Sequence, residues 1–272
     1  MSNKSPRWLT GFAALVYLVL FTPIVVLIIF SFNDSRAAFI WGGFTFDWYP
    51  KLFGNDDIVD ALGVTLQVAA IAVFGSTILG SLLGLGLARL RFRGAGAVQT
   101  LLLLPMITPE IIVGISLLVF FFQLVGSTGS IAQISLAHIT FCISYVAITV
   151  RARAANLNPQ LEEAARDLGA SAWQTFAQVV LPILLPGIIA VALFGFTLSY
   201  DEFARTLLTV GPNNTLPLEI WAMTTNITSP ALYALGTLTT VVSFVVITAA
   251  LTALAVIQRR RAQRRPHAAA AR

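Results

Sequence analysis

Four side chains suited to binding a cation lie within or beside long apolar runs, namely Glu110, Tyr200, Asp201 and Glu202. An acid inside lipid costs about 2.5–3.5 kcal/mol unless it faces protein or water. Glu110 therefore indicates a solute pathway, a buried structural contact, or a shorter span that leaves it among the headgroups. Adjacent carboxylates at Asp201 and Glu202, beside an aromatic ring, could attract an amine by charge and cation–π contact. A solvated helix end, or an ion pair between Asp201 and Arg205, would explain the same residues.

His138 and Cys142 are spaced i,i+4 in another apolar run, which raises the question of a metal site or a nucleophile. Two ligands do not make a metal site, and no further His or Cys is available in the apolar runs. We expect a neighbouring helix to satisfy His138. The sequence also lacks a glycine-rich P-loop, so ATP hydrolysis by that route would fall to another protein. We predict no catalytic residue, metal or cofactor in this chain.

The composition is that of a membrane protein. The 272 residues are 57% hydrophobic and 11% charged, with a mean hydropathy of +0.84, whereas about a quarter of the residues of soluble domains are charged. A single cysteine excludes an internal disulfide framework. The net charge of +5 comes from basic residues beside apolar runs, which is typical of topology signals and not of a nucleic-acid-binding face. The first apolar run is too long for a signal peptide.

Apolar runs long enough to cross a bilayer occur six times. A membrane helix needs roughly 20 mostly apolar residues, and continuous runs without alternation favour helices over a barrel. The predicted spans are residues 8–32, 61–88, 98–125, 131–150, 183–200 and 231–257. We therefore predict an all-α membrane protein with six transmembrane helices, in a single domain over residues 1–272.

Basic residues predict the orientation of these spans. Fourteen of the 17 Lys and Arg flank the apolar runs on one side, counting both ends of the chain and the insert 151–182. Loops 33–60 and 201–230, on the other side, carry eight acids and three bases. By the positive-inside rule both termini and the insert are cytoplasmic.

The second span carries small residues at every fourth position: Ala72, Ser76, Gly80, Gly84 and Ala88. Such a stripe lets another backbone approach closely where lipid supplies no hydrophobic drive. A helix contact inside this chain and a subunit interface both fit the pattern.

The cytoplasmic insert reads as two short helices joined by a glycine. Asn158 and Pro159 suit a helix start, and Gly169 suits its end. Ser171 with Gln174 has the form of a capping box, so a second helix begins at once. This helix–Gly–helix elbow is either a docking element or a plain amphipathic connector at the membrane surface.

The spacing within the elbow resembles a known motif. The segment from Glu163 to Pro182 follows the pattern E-A-A-x3-G-x9-I-x-L-P, with Val179 in place of Ile. This is the EAA motif of ABC importer permeases, whose coupling helix docks into a groove of a cytoplasmic ATPase subunit. The resemblance implies that the docking residues are Glu163, Ala164, Ala165 and Gly169, with Glu162, Arg166 and Asp167 at the rim.

Further segments are similar to the spermidine/putrescine permeases of the PotC type. They are "RFRG", "LLPMITPEIIVGISLLVFF", "AHITFCISYV", "TLSYDEF" and "VGPNNTLPLEIW", within residues 91–221. The resemblance implies a MetI-like permease fold in a prokaryotic inner membrane. It also implies a second permease subunit, two ATPase subunits that bind ATP and Mg²⁺, and an extracytoplasmic solute-binding protein.

The resemblance favours polyamine as the solute, and the acids of the outer loops agree with a cation. Relatives with this layout import other small solutes, including amino-acid-like amines, phosphonates, thiamine and iron. An ion-coupled secondary transporter would explain an acid in the membrane but not the EAA spacing. An intramembrane enzyme using His138 has no converging set of residues to support it.

Overall fold

The computed structural model of the protein describes residues 7–35, 40–226 and 230–264, which are predominantly helical. Among these residues the β-structure consists of an isolated bridge between Asn33 and Phe44. Residues Phe176–Val180 form a π-helix. The helices are α1 (Arg7–Phe30), α2 (Trp48–Phe53), α3 (Asp56–Arg89), α4 (Ala95–Ile107), α5 (Glu110–Val125), α6 (Ile131–Ala155), α7 (Gln160–Asp167), α8 (Ala172–Thr175), α9 (Leu181–Tyr200), α10 (Ala204–Thr209), α11 (Leu216–Asn226) and α12 (Pro230–Arg264).

Five of the six predicted spans are continuous helical segments long and apolar enough to cross a membrane. The sixth, residues 98–125, is instead the pair α4 and α5, which meet at an angle of 108°. The all-helical class is therefore confirmed for the described residues, which contain five candidate membrane spans, or six if the bent pair is one span. The outermost basic residues behind the predicted orientation, Lys4, Arg265 and Arg272, lie outside the described residues.

Two prolines account for the break between α4 and α5. Pro109 disfavours helical backbone at the residue before it, and Thr108 is accordingly extended, with ψ 135°. Thr108 closes the end of α4 by donating its hydroxyl to the Leu104 carbonyl at 2.7 Å. Pro105, inside α4, removes one more backbone donor. The break places Glu110 at the first position of α5.

The described residues divide into two compact units, one from segments 1–59 and 219–245 and the other from segments 60–218 and 246–272. In the first unit, Phe30 of α1 lies 5.9 Å from the Tyr233 ring of α12. Buried Asn33, after α1, donates to the Ile40 carbonyl and accepts from the Gly42 amide, both at 2.8 Å. All predicted site residues belong to the second unit.

The core of the second unit is the contact between α6 and α9. One cluster of buried apolar side chains joins the C-terminal half of α6 to α9 and the π-helix. Its members are Val146, Val150, Ala154, Leu157, Val180, Leu184, Ile188 and Val191. Burial of such side chains is the main packing contribution to holding the elbow near the end of α6.

The small-residue stripe of α3 packs within the chain at two positions. A Cβ on Gly80 would lie 2.7 Å from Cβ of Val146, and one on Gly84 would lie 2.5 Å from the Ala147 carbonyl oxygen. Both distances are too short for any side chain. The prediction of an intrachain helix contact is therefore confirmed at Gly80 and Gly84, where α3 lies against α6.

Candidate functional site

The elbow begins where the sequence predicts. The Asn158 side chain accepts the Gln160 amide at 3.0 Å, and α7 starts at Gln160, directly after Pro159. Glu162 and Glu163 occupy its first turn, where carboxylates are favoured by the positive end of the helix dipole.

Gly169 ends α7 in a Schellman motif. Its φ is +84°, a left-handed conformation that costs a residue with a Cβ roughly 1–2 kcal/mol. The Gly169 amide donates to the Arg166 carbonyl at 2.8 Å, and the Ala170 amide to the Ala165 carbonyl at 3.0 Å. Apart from its two chain neighbours, no heavy atom of the described residues lies within 4 Å of the position of a Cβ on Gly169. Glycine is therefore required there for backbone conformation and not for space.

The second half of the elbow contains a confirmed feature and an unpredicted one. Ser171 and Gln174 form the predicted capping box, with bonds of 2.8 Å and 3.3 Å. After α8 the chain forms the π-helix before α9 begins at Leu181. Short π-helical turns are frequent at functional sites, but no residue pattern in this segment predicts one.

The surface of the elbow carries both charge and apolar side chains. Glu163, Ala164, Asp167 and Gly169 are exposed, whereas Ala165 is half-buried. Leu168 is 89% exposed and Trp173 is 71% exposed, although neither was predicted to take part in docking. An open hollow of about 390 Å³ separates the two halves, lined by residues that include Ala165, Leu168 and Val179. An exposed surface of this mixed character is suited to contact with another protein.

Glu162 differs from its neighbours because it forms an ion pair with Arg89 at the end of α3. Both side chains are half-buried. Glu162, which was predicted at the rim of a docking surface, is therefore bound by an arginine of the same chain.

A second group of polar side chains lies around the short helix α10. We call it the polar cluster, and its members are Glu110, His138, Ser199, Glu202, Arg205 and Thr206. The residues come from α5, α6, α9 and α10 and from the turn before α10.

The centre of the polar cluster is the buried ion pair between Glu202 and Arg205. One Glu202 oxygen accepts Nη1 of Arg205 at 2.6 Å, and the other accepts the Arg205 backbone amide at 2.9 Å. Burial raises the pKa of the Glu202 carboxyl, while the bonds from Arg205 act in the opposite direction. Arg205 therefore pairs with Glu202, and the alternative of an ion pair between Asp201 and Arg205 is not found among the described residues. Glu202 takes this role because its carboxylate also reaches an open amide in the first turn of α10.

Glu110 lies at the exposed edge of the cluster. Its Oε1 is 3.6 Å from Nη1 of Arg205, and its side chain is 61% exposed. One alternative for Glu110 was a structural contact, and Arg205 provides such a contact. Most of the Glu110 side chain nevertheless stays accessible in this subunit.

His138 connects three helices through hydrogen bonds. Nδ1 lies 2.7 Å from Oγ of Ser199 in α9, and Nε2 lies 2.8 Å from Oγ1 of Thr206 in α10. The prediction that neighbouring helices satisfy His138 is confirmed. Cys142 is buried and faces the Gly195 carbonyl at 3.7 Å. Within the described ranges no group of three potential metal ligands occurs.

The three adjacent predicted residues do not form one surface. Tyr200 is buried, its ring stacks on Phe196 at 5.4 Å, and its hydroxyl has no hydrogen-bond partner among the described residues. Asp201 is exposed, and Glu202 is buried. The aromatic residue in cation–π contact is Phe141, whose ring lies 4.3 Å from Cζ of Arg205. The i,i+3 spacing of Glu202 and Arg205 was the available signal for the buried pair, whereas nothing in the sequence indicated Phe141.

The described residues contain five or six helical spans of membrane length and a helix–Gly–helix elbow. Residues 76–264 match the family described as "binding-protein-dependent transport system inner membrane component", and the chain belongs to this family.

The chain is 38% identical to the spermidine/putrescine transport system permease protein PotC of Escherichia coli K12, over 88% of this chain and 90% of that protein. It is 35% identical to the putrescine transport system permease protein PotI of the same strain, over 86% of each chain.

Solved structures share the fold. A chain of a bacterial ABC transporter involved in import of the acidic polysaccharide alginate superimposes with a TM-score of 0.73, at 19% identity, over 93% of this chain and 96% of that one. A chain of the MetNI methionine ABC transporter gives 0.63 at 18% identity, over 73% and 95%. The permease fold expected from the sequence is therefore shared with transmembrane chains of ABC importers.

Proposed function

We propose that this chain is the permease subunit of an ATP-driven importer for polyamines or a related small cationic solute. The observation that carries the proposal is the match to PotC and PotI over most of the chain, because both relatives are permeases of putrescine transport systems. The acids of the outer loops and the exposed Glu110 agree with a cationic solute.

ATP would be hydrolysed by a partner, onto which the elbow docks. The proposed docking residues are Glu163, Ala164, Ala165, Asp167 and Gly169, with Glu162 held to one side by Arg89. The shape of this surface is fixed by the Schellman motif and the capping box, so a partner would meet a preorganised surface.

The complete importer would contain this chain, a second permease, two ATPase subunits holding ATP and Mg²⁺, and an extracytoplasmic solute-binding protein. A solved relative of the same fold was crystallised with its periplasmic protein. In this arrangement the chain resides in a prokaryotic inner membrane, with the elbow and both termini in the cytoplasm.

The solute would pass near Glu110, Tyr200, Asp201 and Glu202. The elbow continues through the π-helix into α9, whose 20 residues rise about 30 Å. The far end of α9 carries Ser199, which contacts His138 in the polar cluster. Movement of the elbow by the ATPase pair would therefore act on the polar cluster through one continuous segment of chain.

Reconstitution tests the proposal. The complex of this chain, the second permease and the two ATPase subunits would be placed in liposomes. Uptake of labelled putrescine and spermidine would then be measured with solute-loaded binding protein outside and ATP available to the ATPase. We expect uptake to require both ATP and the ATPase subunits. Uptake that follows an ion gradient without the ATPase would contradict the permease role. ATP-driven uptake of a phosphonate, thiamine, iron or an amino-acid-like amine, but not of polyamines, would change the solute and keep the role.

A further inference from the structure

Arg205 makes two ionic contacts of unequal strength in the polar cluster. Its contact with Glu202 is 2.6 Å long, and the two side chains are 4% and 6% exposed. Its contact with Glu110 is 3.6 Å long and reaches a mostly exposed side chain. Because a buried, hydrogen-bonded pair is costly to break, Arg205 stays with Glu202 while the contact with Glu110 can be exchanged.

The surroundings of Arg205 hold it in this place. The guanidinium lies over the Phe141 ring, and its backbone amide is bound by Glu202. The next residue, Thr206, is hydrogen-bonded to His138. The guanidinium therefore cannot move far from Glu110 unless α10 itself moves.

We propose that Arg205 is a specificity-determining residue that acts as a tethered counter-cation for Glu110. A cationic solute must displace this contact to gain the Glu110 carboxylate. The inference rests on the proposed passage of a cationic solute near Glu110. It also assigns different tasks to two acids of the cluster, since Glu202 holds the guanidinium and Glu110 meets the solute.

The charge balance supplies a clean test. Glu110, Glu202 and Arg205 together carry −1 in the native protein. The double variant Glu202→Gln with Arg205→Met also leaves −1, on Glu110 alone. Gln keeps a carbonyl oxygen for the backbone amide at position 205, and Met keeps contact with the Phe141 ring. A change in cation affinity then reports that Arg205 no longer competes for the Glu110 carboxylate, and it does not report added negative charge.

The measurement is binding of labelled putrescine to the assembled permease–ATPase complex without the solute-binding protein. We expect the double variant to bind putrescine about two- to fivefold more tightly than the native complex, as expected for removal of a partly exposed ion contact. The gain should shrink at high ionic strength. It should be absent when Glu110→Gln is added. Glu202→Gln alone should weaken binding, because Arg205 is then left with Glu110 as its carboxylate.

Two results would overturn the inference in distinguishable ways. If Glu110→Gln weakens binding but the double variant binds as the native complex does, Arg205 is not a competitor and the proposed pathway stands. If Glu110→Gln alone leaves putrescine binding unchanged, Glu110 does not meet the solute, and the pathway and the inference both fail. Thermal unfolding and ATPase activity of each complex would show whether the variant has assembled.

Discussion

Arg89, the last residue of α3, forms an ion pair with Glu162 in the first turn of α7. The elbow is therefore attached to the membrane helices at a third point, in addition to its covalent connections to α6 and α9. Since α3 also packs on α6 through Gly80 and Gly84, this ion pair fixes the elbow relative to two helices.

Breaking this ion pair should weaken coupling more than stability. A partly exposed pair contributes about 0.2–1 kcal/mol, so Arg89→Gln should barely change the unfolding midpoint of the complex. We expect ATP-driven uptake per ATP hydrolysed to fall, because the elbow is then less firmly held. The exchange Arg89→Glu with Glu162→Arg should restore the ratio. Glu163→Gln serves as the control, because its effect on coupling should add to that of Arg89→Gln and should not rescue it. If the exchange of Arg89 and Glu162 fails to restore coupling, the proposed role of the ion pair is contradicted.

Substitution of Gly169 should affect docking through backbone conformation. Gly169→Ala should destabilise the turn by about 1–2 kcal/mol and reduce co-purification of the ATPase subunit. Gly169→Asn should retain more of the ATPase co-purification than Gly169→Ala, because Asn tolerates the left-handed region. Equal loss with Asn and Ala would show that contact with the partner, and not φ, is what glycine provides.

Two glycines of α3 make a matched pair for testing helix packing. A Cβ on Gly84 would lie 2.5 Å from the Ala147 carbonyl oxygen. Apart from the adjoining residues and backbone of α3 itself, no heavy atom of the described residues comes within 4 Å of a Cβ on Gly86. Gly84→Ala should therefore cost about 1–3 kcal/mol. Gly86→Ala should be neutral or stabilising by up to about 1 kcal/mol. Thermal unfolding of the purified complex measures both, and a similar change in the two variants would argue against the close contact.

His138→Ala should destabilise the protein because it leaves the Ser199 and Thr206 hydroxyls without their imidazole partner. Loss of these buried hydrogen bonds should cost about 1–3 kcal/mol. His138→Gln should cost less, since an amide can replace one of the two. Thermal unfolding is again the measurement. Stabilisation by added zinc that disappears in His138→Ala would instead indicate a metal site.

The spans and the elbow follow from local rules and could be predicted from the sequence. A membrane helix is specified by its own apolar length, and the elbow by Gly169 and by the capping pair Ser171 and Gln174. The bend before Glu110 was missed because prolines are tolerated within membrane helices. Whether they bend the helix depends on packing that the sequence does not display.

The polar cluster was harder to predict because its contacts are long-range. His138 meets Ser199 and Thr206 across more than 60 residues, and Phe141 reaches Arg205 from another helix. The pairing of Arg205 is local, but spacing along the chain allows both Asp201 (i,i+4) and Glu202 (i,i+3) as its partner. The sequence does not show that Glu202 is the buried acid.

The π-helix between the elbow and α9 holds one more residue than a regular helical turn would. In an α-helix each residue turns the chain by about 100° and advances it by about 1.5 Å. The extra residue in segment 176–180 therefore sets the rotation of Gly169 and Leu168 about the axis of α9. With one residue fewer in this segment, the residues from Glu163 to Gly169 would be unchanged but would face a different way.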